Sequence, residues 1–122
     1  MRSGKASYDR DLTKARGWKV GDPIDNLTKA GNEPSWSTVR ARYWKNQAYY
    51  EESSYIEQFL ERMRKGKPPI HPRYNVPMEI HHKKGRDIPN PHRIENLVKL
   101  WPWKHDEVDK FRHYNGPRPE EY

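Results

Sequence analysis

Residues 78–109, MEIHHKKGRDIPNPHRIENLVKLWPWKHDEVD, decide the reading of this chain. Met78-Glu79-Ile80 is a short apolar strand that runs into His81-His82. A polar stretch rich in Lys, Arg, Gly and Pro follows over 83–95, and 96–101 (NLVKLW) reads as a second strand. Pro102 breaks that strand and suits the first turn of a helix. Residues 103–114 (WKHDEVDKFRHY) then predict a helix, and the tail 116–122 reads as extended and exposed. Strand, loop, strand and helix thus follow one another within a few tens of residues.

Upstream, Trp36, Val39 and Tyr43 place an apolar stripe on a helix over 36–50, with Ser35 or Ser37 as its cap. A second helix is expected from about Ser54 to Arg64. Ser54 and Glu57 form a capping-box pattern there, Tyr55, Ile56, Phe59, Leu60 and Met63 supply the apolar face, and Gly66 ends it. Residues 66–77 (GKPPIHPRYNVP) are a proline-rich loop. Residues 1–34 read as an irregular arm whose Trp18, Val20, Ile24 and Leu27 pack on the rest. The expected architecture is α+β. One small domain covers 1–122, with the arm at 1–34, a helical part at 35–66, and a strand–strand–helix core at 77–115.

The composition narrows the partner. The chain has 122 residues, 34% of them charged, and a mean hydropathy of −1.36. Aliphatic side chains are few, so five Trp, eight Tyr and two Phe must supply much of the core. That aromatic content argues against disorder, and a bound metal would help hold so polar a domain together. A net charge of +7 suits a polyanion, because each neutralised phosphate releases condensed counterions. Cysteine is absent, so any transition-metal site must use His, Asp or Glu. No apolar run approaches the roughly 20 residues of a membrane span, and no export signal is evident.

All six histidines follow residue 70. His105 and Asp109 stand at i and i+4, the spacing at which two side chains on one helix face can share a cation. A strand beside the helix offers His81 as a third ligand, with the remaining coordination open to water and a phosphate oxygen. His82 is the candidate general base, since a neutral imidazole with a pKa of about 6.5 suits proton removal from water near pH 7. Asn96, across the hairpin, is the candidate to fix its tautomer. Lys83, Lys84 and Arg86 are candidate partners of the phosphate. Adjacent strand residues point to opposite faces, so both histidines can serve one site only where the strand ends or bulges. Arg40, Arg42 and Lys45 interleave with Tyr43 and Trp44 and could track a sugar–phosphate backbone, as could Arg62, Arg64, Lys65 and Lys67. Trp101 and Trp103 read as core.

MEIHH (78–82), ENLVKL (95–100) and WPWKHDEVD (101–109) resemble the HNH (ββα-metal) endonuclease superfamily. The resemblance implies two helices packed on a ββα-metal motif, with His81 as metal ligand, His82 as base, Asn96 as orienting residue and His105 as ligand. The family often has a histidine where Asp109 stands. A carboxylate is a competent ligand; it leaves the divalent ion open among Mg²⁺, Mn²⁺, Zn²⁺ and Ni²⁺ and favours a harder ion such as Mg²⁺ or Mn²⁺. His113, one turn further, is a weaker alternative ligand. His92, in the hairpin loop, reads as a substrate contact or as functionally silent.

WSTVRARYWKN (36–46), ERMRKGKPP (61–69), MEIHHKKGR (78–86) and LWPWKHDEVDKFRHYNGPRP (100–119) together are similar to C-terminal toxin domains of Rhs and related polymorphic toxins. That similarity implies a DNA-cutting warhead with little sequence preference. A larger secreted carrier, as in type VI secretion effectors, would deliver it into a target cytoplasm, and a cognate immunity protein would neutralise it in the producer. Two other readings stay open at this point: an RNase toxin on the same scaffold, and a non-enzymatic nucleic-acid-binding module with a structural metal.

Overall fold

The computed structural model describes residues 14–120. Within them the chain is α+β, with three α-helices and one two-stranded antiparallel sheet. Helix α1 spans Trp36–Tyr50 and α2 spans Glu57–Met63. Strands β1 (Glu79–His82) and β2 (Leu97–Leu100) form the hairpin, and α3 spans Pro102–Val108.

Helix α1 forms where its apolar spacing predicts. Its N-cap is Ser35, whose side chain accepts a hydrogen bond from the Thr38 backbone N–H. Its buried stripe of Val39, Tyr43, Trp44 and Ala48 meets Leu60 and Met63 of α2, Ile80 of β1 and Leu97 of β2. Trp36, Tyr55, Phe59 and Met78 close the margins of this core. The loop after α2 presses onto α1 at Gly66, whose φ is +80° and whose added Cβ would stand 2.9 Å from the Ala41 Cβ. Only glycine meets both conditions.

Helix α2 starts later than the capping-box pattern implies. Ser54 belongs to a short 3₁₀ turn, Glu52–Ser54, and the N-cap is Ile56, with no side-chain cap bond. Glu57 is drawn to the far end of the helix, where its carboxylate accepts two bonds from Arg64 at 3.2 Å. Arg64 also meets Glu52, and Arg62 Nε donates to the Pro68 carbonyl, so neither arginine of this cluster is a free phosphate contact.

Helix α3 ends at Val108, well short of the predicted residue 114. Asp109 turns to extended backbone, and its Oδ1 accepts the Phe111 N–H at 2.9 Å. A short acidic side chain that captures a nearby amide competes with helix continuation. The chain then doubles back: Tyr114 is buried and its hydroxyl donates to the Pro117 carbonyl. Residues 116–118 are exposed, as expected of the tail, and 121–122 lie outside the described residues.

Residues 14–34 carry no helix, as expected, and residues 1–13 lie outside the described residues. Ile24 and Leu27 are buried and Trp18 is half-buried, but Val20 is 43% exposed and does not pack on the core. The arm is held by side chains of α1. Asn46 Nδ2 donates to the Asp22 carbonyl and its Oδ1 accepts from Gly21 N–H. Arg42 Nη1 donates to the carbonyls of Ile24 (3.0 Å) and Asn26 (2.8 Å). Arg42 is therefore buried, a structural clamp and not the substrate contact its sequence neighbourhood suggests.

Candidate metal centre and its cleft

The hairpin register pairs Glu79 with Leu100, Ile80 with Lys99, His81 with Val98 and His82 with Leu97. Alternation then sends Glu79 and His81 to one face and Ile80 and His82 to the other. Ile80 joins the core under α1, while Glu79 and His81 meet α3. The His82 ring lies 4.6 Å from that of Trp36. The two histidines do point apart, as strand geometry requires. Because His82 ends β1, they nonetheless border the same cleft, of ≈ 730 Å³, together with His105 and Asp109.

His81, His105 and Asp109 converge: one ligand atom from each lies within 4.8 Å of the others. Asp109 Oδ2 is 3.5 Å from His81 Nδ1 and 3.4 Å from His105 Nε2. Atoms bound at about 2.1 Å to one tetrahedral ion lie roughly 3.4 Å apart, so the spacing fits a shared cation. The donors fit as well. His105 Nδ1 meets Glu79 Oε1 at 2.7 Å. With its Nδ1–H given to that carboxylate, His105 aims the Nε2 lone pair at the cluster, the arrangement that orients metal-ligating histidines. His81 Nδ1 is buried and has no hydrogen-bond partner among the described residues. Imidazole lone pairs and a carboxylate oxygen facing one another repel unless a cation sits among them. His81, His105 and Asp109 could thus hold a metal ion. His113 is exposed and takes no part in this cluster.

The protonation states agree. Burial, then the nearby His105, lowers the His81 pKa against the pull of Asp109. Asp109 is held below the usual carboxylate range, first by the Phe111 amide and then by His105 and His81. Burial pushes the Glu79 carboxyl up, but hydrogen bonds from Arg112 and His105 outweigh it and hold the group ionised. Sequence reasoning missed Glu79. Its signal is the strand alternation that puts it beside His81, two residues on. Arg112, which grips Glu79 through Nε (2.9 Å) and Nη2 (2.8 Å), was legible from no spacing rule.

His82 is neutral at physiological pH: burial, then His92 and Arg86, push its pKa down to about 4. Its Nε2 meets His92 Nδ1 at 2.9 Å, and the His92 ring stacks on Trp36 at 4.9 Å. Asn96 does not orient His82. It is buried, its Oδ1 accepts the Lys84 N–H, and its Nδ2 donates to the carbonyls of Gly85 and Pro91. Asn96 ties the two ends of the hairpin loop together, and the loop in turn presents His92. Lys83, Lys84 and Arg86 are exposed on that loop, and Lys83 and Arg86 line the cleft.

Comparison with protein-family models, characterised proteins and solved structures gives no match. The chemistry of the centre therefore rests on the residues themselves. Trp103 is buried and stacks against half-buried Trp101, in keeping with their reading as core. Arg40, unlike Arg42, is exposed, and its guanidinium lies 5.7 Å from the Trp36 ring centre.

Proposed function

We propose that this chain is a metal-dependent endonuclease of the HNH (ββα-metal) type that hydrolyses DNA phosphodiester bonds. The observation that carries the reading is the convergence of His81, His105 and Asp109 beside a neutral histidine, His82, in one cleft of a basic chain. The hairpin followed by a short helix supports it. A divalent ion held by His81, His105 and Asp109 would supply Lewis-acid stabilisation of the charge that builds on the phosphate and the leaving oxygen. Two imidazoles and one carboxylate suit Mn²⁺, Zn²⁺ or Ni²⁺ better than Mg²⁺, which prefers oxygen donors.

The residues of the chain do the rest. His82 takes a proton from the attacking water at Nδ1, which has no partner among the described residues, while Nε2–H is donated to His92. His92 thus fixes the tautomer, the duty the family resemblance gives to Asn96. Glu79 orients His105, and Arg112 orients Glu79. Exposed Lys83 and Arg86 add positive potential along the cleft without reading bases. In this reading the domain is the nuclease part of an Rhs-type toxin, brought into a target cell by a larger carrier and blocked in the producer by an immunity protein. That part of the proposal rests on the sequence similarity alone.

The test is to incubate plasmid DNA and total RNA separately with the wild type and with His82→Ala, with and without EDTA. The proposal expects DNA cutting that EDTA stops and His82→Ala lacks, with divalent-metal affinity nearly intact in the variant. Degradation of RNA alone, insensitive to EDTA, would sink it. Salt-sensitive DNA binding without turnover would instead identify a binding module.

A further inference from the structure

Two clefts meet at Trp36. One, of ≈ 580 Å³, lies between α1 and the 66–68 loop and carries Arg40. The other is the ≈ 730 Å³ cleft of the candidate centre and carries Arg86. Trp36, Ile80 and His105 line both, so together they form a continuous groove that passes the ligand cluster. At the junction, the guanidiniums of Arg40 and Arg86 lie 5.7 Å and 5.5 Å from the centre of the same indole ring.

These two arginines differ from most others in the chain. Arg42, Arg62, Arg64, Arg93, Arg112 and Arg118 are all engaged by carbonyls or carboxylates. Arg40 and Arg86 have neither a hydrogen bond nor an ion pair among the described residues. Two guanidiniums thus rest on one ring, neither of them paired with a carboxylate among the described residues. The indole face attracts each of them, but it neutralises neither. A phosphate would give each of them the anionic partner it lacks, because the planar guanidinium fork matches phosphate oxygens. The groove's continuity with the His81–His105–Asp109 cluster says which anion.

We infer that Arg40 and Arg86, both seated against Trp36, each hold a backbone phosphate flanking the one that is cut, Arg40 in one cleft and Arg86 in the other, and so clamp the strand. The inference rests on the nuclease reading and extends it: the substrate is a polynucleotide strand long enough to reach both places, gripped without regard to sequence. Each phosphate neutralised contributes about 0.9 to the slope of log K against log salt on duplex DNA. The clamp as a whole contributes about 1.8, or roughly a 12-fold share of the affinity lost between about 50 and 200 mM salt.

The experiment titrates a short fluorescent DNA duplex with the full chain by anisotropy across that salt range, in EDTA so that nothing turns over. The variants are Arg40→Gln/Arg86→Gln and a control of equal charge change, Lys29→Gln/Arg73→Gln. The control residues are exposed and lie outside both clefts. The slope is expected to flatten by about 1.8 in the first double variant and to hold in the control. Equal slopes in wild type and Arg40→Gln/Arg86→Gln overturn the clamp, as does equal flattening in the control or an absence of wild-type binding. A wild type that shows the expected slope change yet cuts no DNA with any divalent ion leaves the clamp standing and removes the nuclease.

Discussion

Replacing Glu79 by Gln keeps the size of the side chain and removes its charge. The carboxylate accepts from His105 Nδ1 at 2.7 Å and from Arg112 at 2.9 and 2.8 Å, so the substitution touches the ligand set and the fold together. Hydrogen bonds to charged groups are worth about 1.5–3 kcal/mol, and the side chains of Glu79 and Arg112 are 25% and 29% exposed. Solvent screening places the loss near the lower end, about 1.5–2 kcal/mol. With an unfolding entropy of about 2.1 cal/mol/K per residue, that loss lowers Tm by about 6–8 °C in the metal-free protein. The effect on metal is of similar size: loss of the carboxylate behind a ligating histidine typically costs about 10–100-fold in affinity, or about 1.4–2.7 kcal/mol. The folded-state pKa of Glu79 lies below its ordinary value, so its stabilisation is complete above that value and disappears as pH falls through the folded pKa. Wild type and Glu79→Gln should therefore differ most near neutrality and converge in acid. Isothermal titration with Mn²⁺ or Zn²⁺ measures the affinity, and thermal melts from neutral to acid pH measure the stability. Unchanged metal affinity in Glu79→Gln, beside a His105→Ala variant that binds no metal, would refute the argument that the carboxylate orients the ligand.

Other outcomes follow from the same geometry. His92→Ala removes one neutral hydrogen bond from the candidate base, so the cleavage rate should fall about tenfold with metal affinity unchanged; a single-turnover assay beside a metal titration separates the two. Asn96→Ala strips three hydrogen bonds from the 84–91 loop and should cost about 2–3 kcal/mol by urea unfolding, with faster proteolysis within that loop. Arg42→Met should loosen the arm, with a loss of about 2–4 kcal/mol and early cleavage between 14 and 34, yet leave the salt slope of DNA binding as it was. A flattened slope in Arg42→Met would return that residue to the list of phosphate contacts.

Much of the fold was legible because local rules and tertiary packing agree. The stripe of α1 and its Ser35 cap, the proline that opens α3, and the hairpin around a polar loop each follow from spacing or turn chemistry. The convergence of His81, His105 and Asp109 followed from putting a strand beside a helix with i, i+4 ligands. The failures share a cause. Arg42, Glu57, Asn96 and Asp109 each have a polar group whose partner is set by the three-dimensional fold, and no period in the sequence reports it. Arg42 turns inward to carbonyls of the arm, Glu57 to Arg64, Asn96 to its own loop, and Asp109 to the Phe111 amide that ends α3 early. His92 was read as marginal because a single histidine among prolines carries no signal until the loop brings it to His82.

The most direct measurement is a crystal of the protein grown with Mn²⁺, with data collected for anomalous scattering. The account predicts one strong peak per chain, bonded by His81 Nδ1, His105 Nε2 and Asp109 Oδ2, with Glu79 still against His105. A peak at other side chains, or none at a Mn²⁺ concentration that supports DNA cutting, would contradict it.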